Sequence, residues 1–328
     1  MSEIRVGVIG AGLMGETHLR AYAASPGVRI VGLATRTPAR AAELSQMFPI
    51  EATFSDAREL IDQAKPDAVS VTTAEHEHVV PTCYALERNV GVLLEKPIAS
   101  NIEDAEQIAR AARSSRAVLI PAHILRFALP YRALHAEITG GRIGKVVGIA
   151  ARRDRNRQIA DHYGHVHPAL LTAVHDIDLI LWLTRSKVIS VRALEHRDSD
   201  REHPDLIWAL AKLESGVIAT ISTAYLHPAD GPVATSDRFE VYGTSGVAAV
   251  DLSVPVFSVN TSPVFIPDWL LGPSDGSGAF GTEVAHFCDC VRSGRPSDVV
   301  TIGDALEGIR TATAMIRSAA SGGIEVTP

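Results

Sequence analysis

The segment at residues 170–183, LLTAVHDIDLILWL, is apolar except for three titratable groups in its middle, His175, Asp176 and Asp178. An imidazole can take up or release a proton near neutral pH, so His175 is a candidate general acid or base. If the segment is an α-helix beginning near Pro168, a stripe of mixed polarity lies beside an apolar one. The mixed stripe comprises Leu171, His175, Asp178 and Trp182, and the apolar one Leu170, Val174, Ile177 and Leu181. The alternative is a surface histidine that bonds an aspartate for packing alone.

A second group with chemical potential is the sequence GAGLMG, directly after the apolar run IRVGVI. Gly10, Gly12 and Gly15 have the GxGxxG spacing, with Leu13 and Met14 between them. In a strand-to-helix turn, the first glycine permits the tight turn, the second allows close approach of a pyrophosphate, and the third lets the helix pack on the sheet. N–H groups at the helix start then bind phosphate. The spacing predicts a dinucleotide site, and a purely structural turn is the alternative.

The end of the next apolar run, GLATRTPARA, bears on which dinucleotide binds. An acidic residue ~20 residues beyond the glycines typically binds the ribose hydroxyls of NAD. Thr35 stands there instead, followed by Arg36 and, within reach, Arg40. A hydroxyl and a guanidinium group suit a 2′-phosphate, so we expect NADP to be favoured over NAD. The alternative is a solvated pair of arginines beside the cofactor.

The third group is Glu95, Lys96 and Pro97, which follow the apolar run VGVLL. The carboxyl ends of parallel strands are where open α/β sheets bind their ligands. A charged pair at such an end is therefore placed to contact a cofactor or substrate. An ordinary surface strand end is the alternative.

These groups need a framework, and the first third of the sequence predicts one. Apolar, β-branched runs alternate with helical segments, which is typical of a parallel sheet covered on both faces. The predicted strands are 4–9, 28–34, 67–72, 90–94 and 117–121, and the predicted helices 14–24, 38–47, 56–63, 79–87 and 102–113. We predict an α/β fold whose residues 1–122 form a doubly wound, dinucleotide-binding domain.

From about residue 145 the pattern changes to successive strands with short turns, which indicates an antiparallel sheet. The predicted strands are 145–152, 188–196, 205–213, 216–225, 238–242, 247–252 and 256–260, and the predicted helices 168–184, 280–293 and 303–320. We assign residues 123–328 to a second domain that binds substrate. If helices cover one face of its sheet, the other could be an oligomer interface, although its residues could equally be core. The candidates are Trp208, Leu210, Val217, Ile221 and Tyr225.

Composition excludes several classes of protein. The 328 residues are 46% hydrophobic and carry a net charge of −7, without the basic block that nucleic acid or an anionic membrane would require. Three cysteines cannot form a disulfide framework, and Cys288 and Cys290 lack the CxxC spacing of zinc or redox motifs. With no secretion signal or membrane-spanning run, we expect a cytoplasmic protein.

Taken in order, these segments resemble the Gfo/Idh/MocA family of glucose-fructose oxidoreductase, inositol dehydrogenase and their relatives. The matching motifs are GVIGAGLMG, TTAEHEHVV at 72–80, EKP at 95–97, HILRF at 123–127, GRIGKVVGI at 141–149 and HDIDLILWL at 175–183. The resemblance implies a Rossmann domain and a C-terminal α/β domain with a large, mostly antiparallel sheet. It also implies an NAD(P) cofactor, a sugar, inositol or related polyol as substrate, and a homodimer or homotetramer built through the second sheet.

The resemblance also implies roles for individual residues. Lys96 would lie beside the nicotinamide and the substrate hydroxyl, and His175 would be the general acid/base in a reversible hydride transfer. Asp178 would orient the imidazole or hold a substrate hydroxyl, and Arg126 would contact substrate. Further cofactor contacts are expected from Thr72, Thr73, His78 and Glu95.

The sequence departs from the family pattern at one position. Relatives carry DxxxH on the helix of the second domain, and here Leu171 replaces the aspartate four residues before His175. Residues i and i+4 share a helical face, so a carboxylate is missing from beside the imidazole.

The segment RRDRNRQIADHYGHVH at 152–167 would be a loop over the substrate pocket. Its Arg153 and Tyr163 are candidate substrate contacts. Together with Arg155, Asn156 and Arg157 they would suit an acidic or polyhydroxylated ligand. Charge for solubility alone is an equal alternative.

Three rival hypotheses remain. His162, His165, His167 and His175, with Asp176 and Asp178, are dense enough to suggest a metal, but convergence on one ion would need a folded-back loop, and we expect no metal. A non-catalytic NAD(P)-binding sensor on the same fold would explain Leu171. A redox-assisted glycosidase is suggested by the resemblance alone.

Overall fold

A computed structural model describes residues 3–198, 200–228, 235–253 and 278–328. The chain divides into two compact units. The first comprises Met1–Ala128 and Pro267–Leu306, and the second Leu129–Ile266 and Glu307–Pro328. The predicted domain boundary after residue 122 lies close to the point where the chain first leaves the first unit.

The first unit contains a six-stranded parallel sheet in the order β3-β2-β1-β4-β5-β6. Its strands are β1 (Ile4–Ile9), β2 (Val28–Ala34), β3 (Thr53–Phe54), β4 (Ala68–Val71), β5 (Gly91–Leu94) and β6 (Leu119–Pro121). Five of them confirm the predicted apolar runs. The edge strand β3 was not predicted, because two residues give no detectable pattern.

The connecting helices also confirm the prediction. They are α1 (Leu13–Ala24), α2 (Pro38–Met47), α3 (Ala57–Glu59), α4 (Val79–Glu87) and α5 (Ile102–Ser114). The α3 helix continues into a π-helical turn at Leu60–Ala64, and a 3₁₀ turn at Ile124–Phe127 follows β6. This alternation of strand and helix is the doubly wound Rossmann fold.

One helix lies in a different unit from the one that the sequence predicted. Helix α9 (Ala279–Ser293) was assigned to the second domain, but it belongs to the first unit. Its Val284, Phe287 and Cys288 are buried in one hydrophobic cluster with strand residues such as Val6 and Ile30. The apolar face of α9 completes the core of the first unit. The position of α9 along the chain does not reveal this packing.

The second unit is built on a six-stranded sheet in the order β12-β11-β7-β10-β9-β8. The strands are β7 (Val146–Arg155), β8 (Val188–His196), β9 (Leu206–Leu213), β10 (Ile218–Ala224), β11 (Thr235–Gly243) and β12 (Gly246–Asp251). Among the strands that the structure describes here, β7 and β10 form the one parallel pair, so the sheet is mostly antiparallel, as predicted. The strand predicted at 256–260 lies outside the described residues.

The remaining helices are α6 (Leu129–Thr139), α7 (Arg157–His162), α8 (Val174–Thr184) and α10 (Ile302–Ala320). Helix α8 packs on β7 and β10, so one face of the second sheet is covered. Neither α6 nor α7 was predicted. None of the helices in the described ranges is both long enough and apolar enough to span a lipid bilayer.

The opposite face of the second sheet carries exposed apolar side chains. Trp208 is 62% and Leu210 52% exposed on alternate positions of β9. Val217, Ile221 and Tyr225, which were candidates for the same surface, are instead core residues with at most 3% exposure. Because side chains alternate across a strand, one face of each strand goes to the core and the other to the surface.

The helix that carries His175 starts with a π-helical turn at Ala169–Ala173 before it becomes α8. His167 caps this start, since its Nδ1 accepts a hydrogen bond from the Ala169 N–H at 3.1 Å. Its Nε2 lies 3.4 Å from a Glu195 carboxylate oxygen. Burial, with the nearby charges of His203 and Arg197, lowers the pKa of His167 to about 3. The neutral ring is therefore the one that fits the fold.

This histidine predicts a specific pH dependence of stability. The unfolded chain binds a proton at residue 167 below about pH 6.5, whereas the folded protein does so only near pH 3. Stability should therefore fall as pH is lowered through this window, by ~3 kcal/mol between pH 7.5 and 4.5 from this group. Urea unfolding of wild type and His167→Asn, which keeps an acceptor for the Ala169 N–H, measures the difference. Equal pH dependence in both proteins would contradict the assignment.

Candidate active site

The dinucleotide site is expected where the strand order reverses in the first unit. Strand β1 lies between β2 and β4, and the chain crosses over in opposite directions on its two sides. In doubly wound sheets, ligands bind in the crevice at the carboxyl ends of these strands. Gly10 follows β1 at this edge, and Thr72 follows β4.

The glycine turn is packed too closely for other residues. Gly10 has a φ of +111°, and a Cβ there would lie 2.7 Å from the Thr72 backbone. A Cβ on Gly15 would lie 2.1 Å from the Gly10 carbonyl oxygen. The Thr72 hydroxyl locks the turn by donating to the carbonyl oxygens of Ile9 and Gly10, both at 3.1 Å. The reasons for which the sequence analysis singled out Gly10 and Gly15 are thus confirmed.

Gly12 differs from its two neighbours in the motif. A Cβ on Gly12 would meet no atom within 4 Å, and no side chain caps the start of α1. The next residue, Leu13, is 67% exposed, and Met14 is half-buried. An open space over uncapped N–H groups at a helix start is the environment that a pyrophosphate requires. The first unit therefore fits a dinucleotide.

The end of β2 carries the residues expected to read the cofactor's ribose. Thr35 is half-buried, and its hydroxyl accepts the Thr37 N–H at 3.2 Å. The Arg36 side chain is 80% exposed and pairs with Glu77 at 2.8 Å. Arg40 is engaged by Glu16 and Glu43 and donates to the Ala11 carbonyl oxygen. Of the two arginines, Arg36 is thus the more available to a ligand.

The residues of the segment TTAEHEHVV lie in different environments. Thr73 is half-buried after β4. The ring of His78 is buried, with Nε2 3.0 Å from the Thr73 carbonyl oxygen and Nδ1 3.1 Å from that of Pro97. Burial lowers the pKa of His78 despite these contacts. Its side chain was expected to contact the cofactor, but it joins the turn after β4 to the turn after β5 instead.

Glu95 and Lys96 directly follow β5 at the same edge of the sheet. Lys96 is half-buried, while Glu95 is buried below it. The Glu95 carboxylate accepts the Lys96 N–H at 3.0 Å, and its other oxygen lies 3.0 Å from Nε2 of His18. Burial alone would raise the pKa of Glu95, but the hydrogen bond and charge of His18 and the charge of Lys96 lower it. Glu95 was predicted to bind the cofactor directly, and its contacts place it in a supporting position.

Sequence reasoning missed His18. It lies three residues after Gly15 and shares a buried helical face with Tyr22, a spacing that reads as core packing. Its partners on β4 and β5 are far away in sequence. The one signal in the sequence for a special role of His18 was that a histidine stands on an otherwise apolar helix face.

In the second unit, Asp176 can lie on the apolar helix because its carboxylate has a buried cationic partner. Arg153 of β7 is 1% exposed, and its guanidinium donates to Asp176 at 2.9 Å and to Asp237 of β11 at 2.6 Å. The same group donates to the Tyr131 hydroxyl at 3.1 Å. Asp176 is therefore the buried partner of a strand arginine, and it fixes the helix beside His175.

The charges in this cluster are strongly coupled. Burial opposes the charge on Arg153, but Asp176 and Asp237 outweigh it and raise the pKa of Arg153 well above its ordinary value. Asp237 also pairs with Arg155, and the two arginines lower the pKa of Asp237 against the effect of burial. The guanidinium of Arg153 stays charged at any pH at which the protein folds.

These contacts change the interpretation of two arginines predicted to bind substrate. Arg153 is not on a loop but inside β7, and its guanidinium is occupied by protein groups. Arg126, in the 3₁₀ turn of the first unit, is buried and donates to the Val299 carbonyl oxygen at 2.6 Å and to Asp304 at 3.1 Å. Both guanidinium groups bind protein partners that are distant in sequence, and the local sequence does not indicate those partners.

The rest of the predicted loop at 152–167 is also ordered into elements. After β7, Asn156 caps α7 by accepting the Ile159 N–H at 3.2 Å. Tyr163 follows α7, half-buried, with its ring packed edge-on against His162. Two members of the suggested metal cluster, His167 and Asp176, have the protein partners described above.

The candidate acid/base lies in the middle of this framework. His175 and Leu171 are half-buried, as is Trp182 on the same predicted stripe. The stripe's fourth member, Asp178, is buried with 1% exposure. Three of the four stripe positions are therefore partly accessible to solvent.

Comparison with known proteins agrees with these features. Residues 4–123 match the model of an oxidoreductase family with an NAD-binding Rossmann fold, and residues 131–249 match the GFO/IDH/MocA C-terminal domain. The chain belongs to the Gfo/Idh/MocA oxidoreductase family. Its first unit therefore has an NAD-binding fold, and the protein is an oxidoreductase.

Similar family members extend over the whole chain. Inositol 2-dehydrogenase of Pseudomonas fluorescens is 26% identical, over 98% of this chain and 96% of the relative. The 1,5-anhydro-D-fructose reductase of Ensifer adhaerens is 28% identical, over 97% of each protein. The crystal structure of scyllo-inositol dehydrogenase from Lactobacillus casei with bound NAD(H) and scyllo-inositol has a TM-score of 0.84 at 21% identity and covers 99% of both chains. This Gfo/Idh/MocA protein thus has the two-domain fold of that neighbour.

Proposed function

We propose that the protein transfers hydride reversibly between NAD(P) and a CH–OH carbon of an inositol, a sugar or a related polyol. The observation that carries the proposal is the position of Lys96, half-buried at the carboxyl edge of the sheet whose glycine turn fits a dinucleotide. Relatives that match nearly the full chain are named as an inositol dehydrogenase and an anhydrofructose reductase. These substrates share a secondary carbinol or the corresponding ketone.

The mechanism assigns one task to each of two side chains. A bound nicotinamide supplies the hydride acceptor at C4 in the oxidative direction. The Lys96 ammonium donates a hydrogen bond to the reacting oxygen and stabilises negative charge that develops there. The His175 imidazole takes the hydroxyl proton as the carbonyl forms and releases it to solvent. In reduction, His175 returns the proton to the oxygen while Lys96 holds the same contact.

Leu171 makes a non-catalytic sensor the second candidate. The carboxylate that relatives place one turn before the histidine is absent, so His175 has to act without that neighbour. Asp176 is bound to Arg153, so this carboxylate does not take over the position of the missing group. Asp178, three residues after His175, remains the proposed partner of the imidazole or of a substrate hydroxyl.

Kinetics of two variants test the mechanism. Lys96→Ala and His175→Asn should each lower kcat by ~10²–10⁴-fold, because each removes a group that acts on the reacting oxygen or its proton. Dinucleotide affinity should change little. The measurement is NAD(P)(H) turnover with myo-inositol, scyllo-inositol and 1,5-anhydro-D-fructose, followed at 340 nm.

The matched control is Lys145→Ala, whose side chain is exposed directly before β7 in the second unit. It should retain the wild-type rate. A wild-type protein that binds dinucleotide tightly but turns over none of these compounds would favour the sensor. Full activity in Lys96→Ala would exclude the mechanism.

The preference between the two dinucleotides is also part of the proposal. We infer that NADP is favoured, because Thr35, the residue after β2, brings no carboxylate, and Arg36 beside it is largely exposed. Arg40 contributes less than the sequence suggested, since Glu16 and Glu43 hold it. The neighbouring structure from Lactobacillus casei contains NAD(H), so both dinucleotides have to be compared.

Two substitutions distinguish the parts of this cofactor site. Arg36→Ala should weaken NADPH binding by ~10-fold or more and leave NADH binding unchanged, because only the 2′-phosphate uses the guanidinium. Gly12→Ala should weaken both, since its Cβ occupies the open space over the helix start. Fluorescence titration of each reduced dinucleotide gives the Kd values. Tighter binding of NADH than NADPH to wild type would overturn the preference.

We further propose that the exposed face of the second sheet joins two copies of the chain. Leu194 pairs with Trp208, and Ile218 lies on the same face beyond Leu210. These four side chains are between 52% and 63% exposed. A contiguous apolar face of this kind is typical of an oligomer interface.

Analytical ultracentrifugation of one variant tests this surface. Trp208→Asp places a charge on the face and should shift a wild-type dimer or tetramer toward smaller species at micromolar concentration. Val80→Asp, a change at an equally exposed site on α4 of the first unit, is the control and should leave the assembly intact. A monomeric wild type would refute the interface.

A further inference from the structure

A buried acid–base pair lies directly behind Lys96, and the proposed reaction does not use it. His18 is fully buried on α1, and its Nε2 lies 3.0 Å from Glu95 Oε1. A buried pair of a histidine and a carboxylate is costly to desolvate and is weak evidence for stability as such. Stability alone therefore does not explain why this pair is buried here.

The carboxylate of Glu95 is divided between two partners. While Oε1 meets His18, Oε2 accepts the backbone N–H of Lys96 at 3.0 Å. The pair thus ties the main chain of Lys96 to the helix that begins at Gly12. His18 is three residues beyond Gly15 on that helix, so one rigid element bears both the expected phosphate site and the anchor of Lys96.

The far side of the His18 ring is also held. Its Nδ1 lies 2.9 Å from the Ser70 hydroxyl on β4, and that hydroxyl is 2.7 Å from the hydroxyl of Tyr22. A continuous chain of hydrogen bonds therefore runs from α1 through β4 and the end of β5 to the Lys96 N–H. Each ring nitrogen and each carboxylate oxygen of the pair has a defined partner.

Other charged or titratable groups face this chain. Lys96 and His78 interact electrostatically with Glu95. Glu283 and Cys288 of α9 act on Tyr22, whose pKa is raised well above its ordinary value, mainly by burial. Phe280 of the same helix packs edge-on against His18, with 6.3 Å between ring centroids. Any pH dependence of kcat that arises from the pair therefore also includes the effects of these neighbouring groups.

We propose that His18 and Glu95 are positioning residues that hold Lys96 in register with the dinucleotide bound at the start of α1. This inference rests on the proposed role of Lys96. The pair touches neither reacting atom, and it acts by fixing the backbone from which the ammonium projects. Misplacement of a catalytic group by about 1 Å can cost ~10²-fold in rate, which sets the expected scale.

The test compares Glu95→Gln and His18→Asn with Tyr22→Phe. Both pair variants should lower kcat by ~10–100-fold, because the Lys96 ammonium loses its fixed position. Both should also shift the pH profile of kcat, because Glu95→Gln removes the carboxylate charge near Lys96 and His18→Asn removes the imidazole that holds this carboxylate. The Kd of the reduced dinucleotide and the KM of the polyol should stay within about threefold. Unchanged dinucleotide binding also shows that the first unit is folded. Tyr22→Phe removes a hydroxyl that contacts Ser70 and neither member of the pair, so it should affect thermal stability alone.

A double-mutant cycle separates this inference from the proposed function. In a Lys96→Ala background, Glu95→Gln should have no further effect on kcat, since its action passes through Lys96. If Lys96→Ala is inactive and Glu95→Gln alone keeps the wild-type rate and pH profile, the positioning role is refuted and the proposed function stands. If Lys96→Ala is fully active, the proposed function fails first. Additive losses in the double variant would also refute the coupling.

Discussion

The second unit depends on one buried guanidinium. Arg153 holds two carboxylates and a tyrosine hydroxyl from three different elements, and it is almost completely shielded from solvent. Removal of a single partner from such a cluster leaves an unpaired buried charge, which typically costs about 3–5 kcal/mol. The strand β7, the neighbouring strand β11 and the helices α6 and α8 are therefore committed to one arrangement. That arrangement fixes the backbone of His175, the residue next to Asp176.

In the first unit, too, a buried charged side chain fixes the backbone beside a candidate catalytic residue. Glu95 precedes Lys96 as Asp176 follows His175, and in each case the carboxylate is buried while its neighbour in sequence is half-buried. One side chain of each pair anchors the backbone and the adjacent one is left for chemistry. A site that must position atoms to within a fraction of an ångström benefits from such support, because rotamer freedom then begins at a fixed Cα.

Most of the strands and helices could be predicted from the sequence, because apolar residues recur with a different period in each of these elements. The sequence also predicted the tasks of Gly10 and Gly15, since those follow from sterics within a local turn. It misplaced Arg153, because the run RRDRNR looks like a solvated loop, whereas in the structure Arg153 sits directly opposite Asp237, 84 residues away. The partners of His18 and Arg126 were missed because they too are distant in sequence. Long-range partners of polar groups leave no periodic trace, and they decide whether a charged side chain binds ligand or protein.

The late position of α9 in the chain affects how the protein is made. The hydrophobic cluster around β1 and β2 includes Val284 and Phe287, which leave the ribosome only after the whole sheet of the second unit. A nascent chain that has completed the glycine turn therefore still exposes the apolar surface that α9 will cover. Cotranslational folding of the first unit therefore cannot finish before the second sheet has been made. Its last step waits for α9, and chaperones would meet the unit with its core still open.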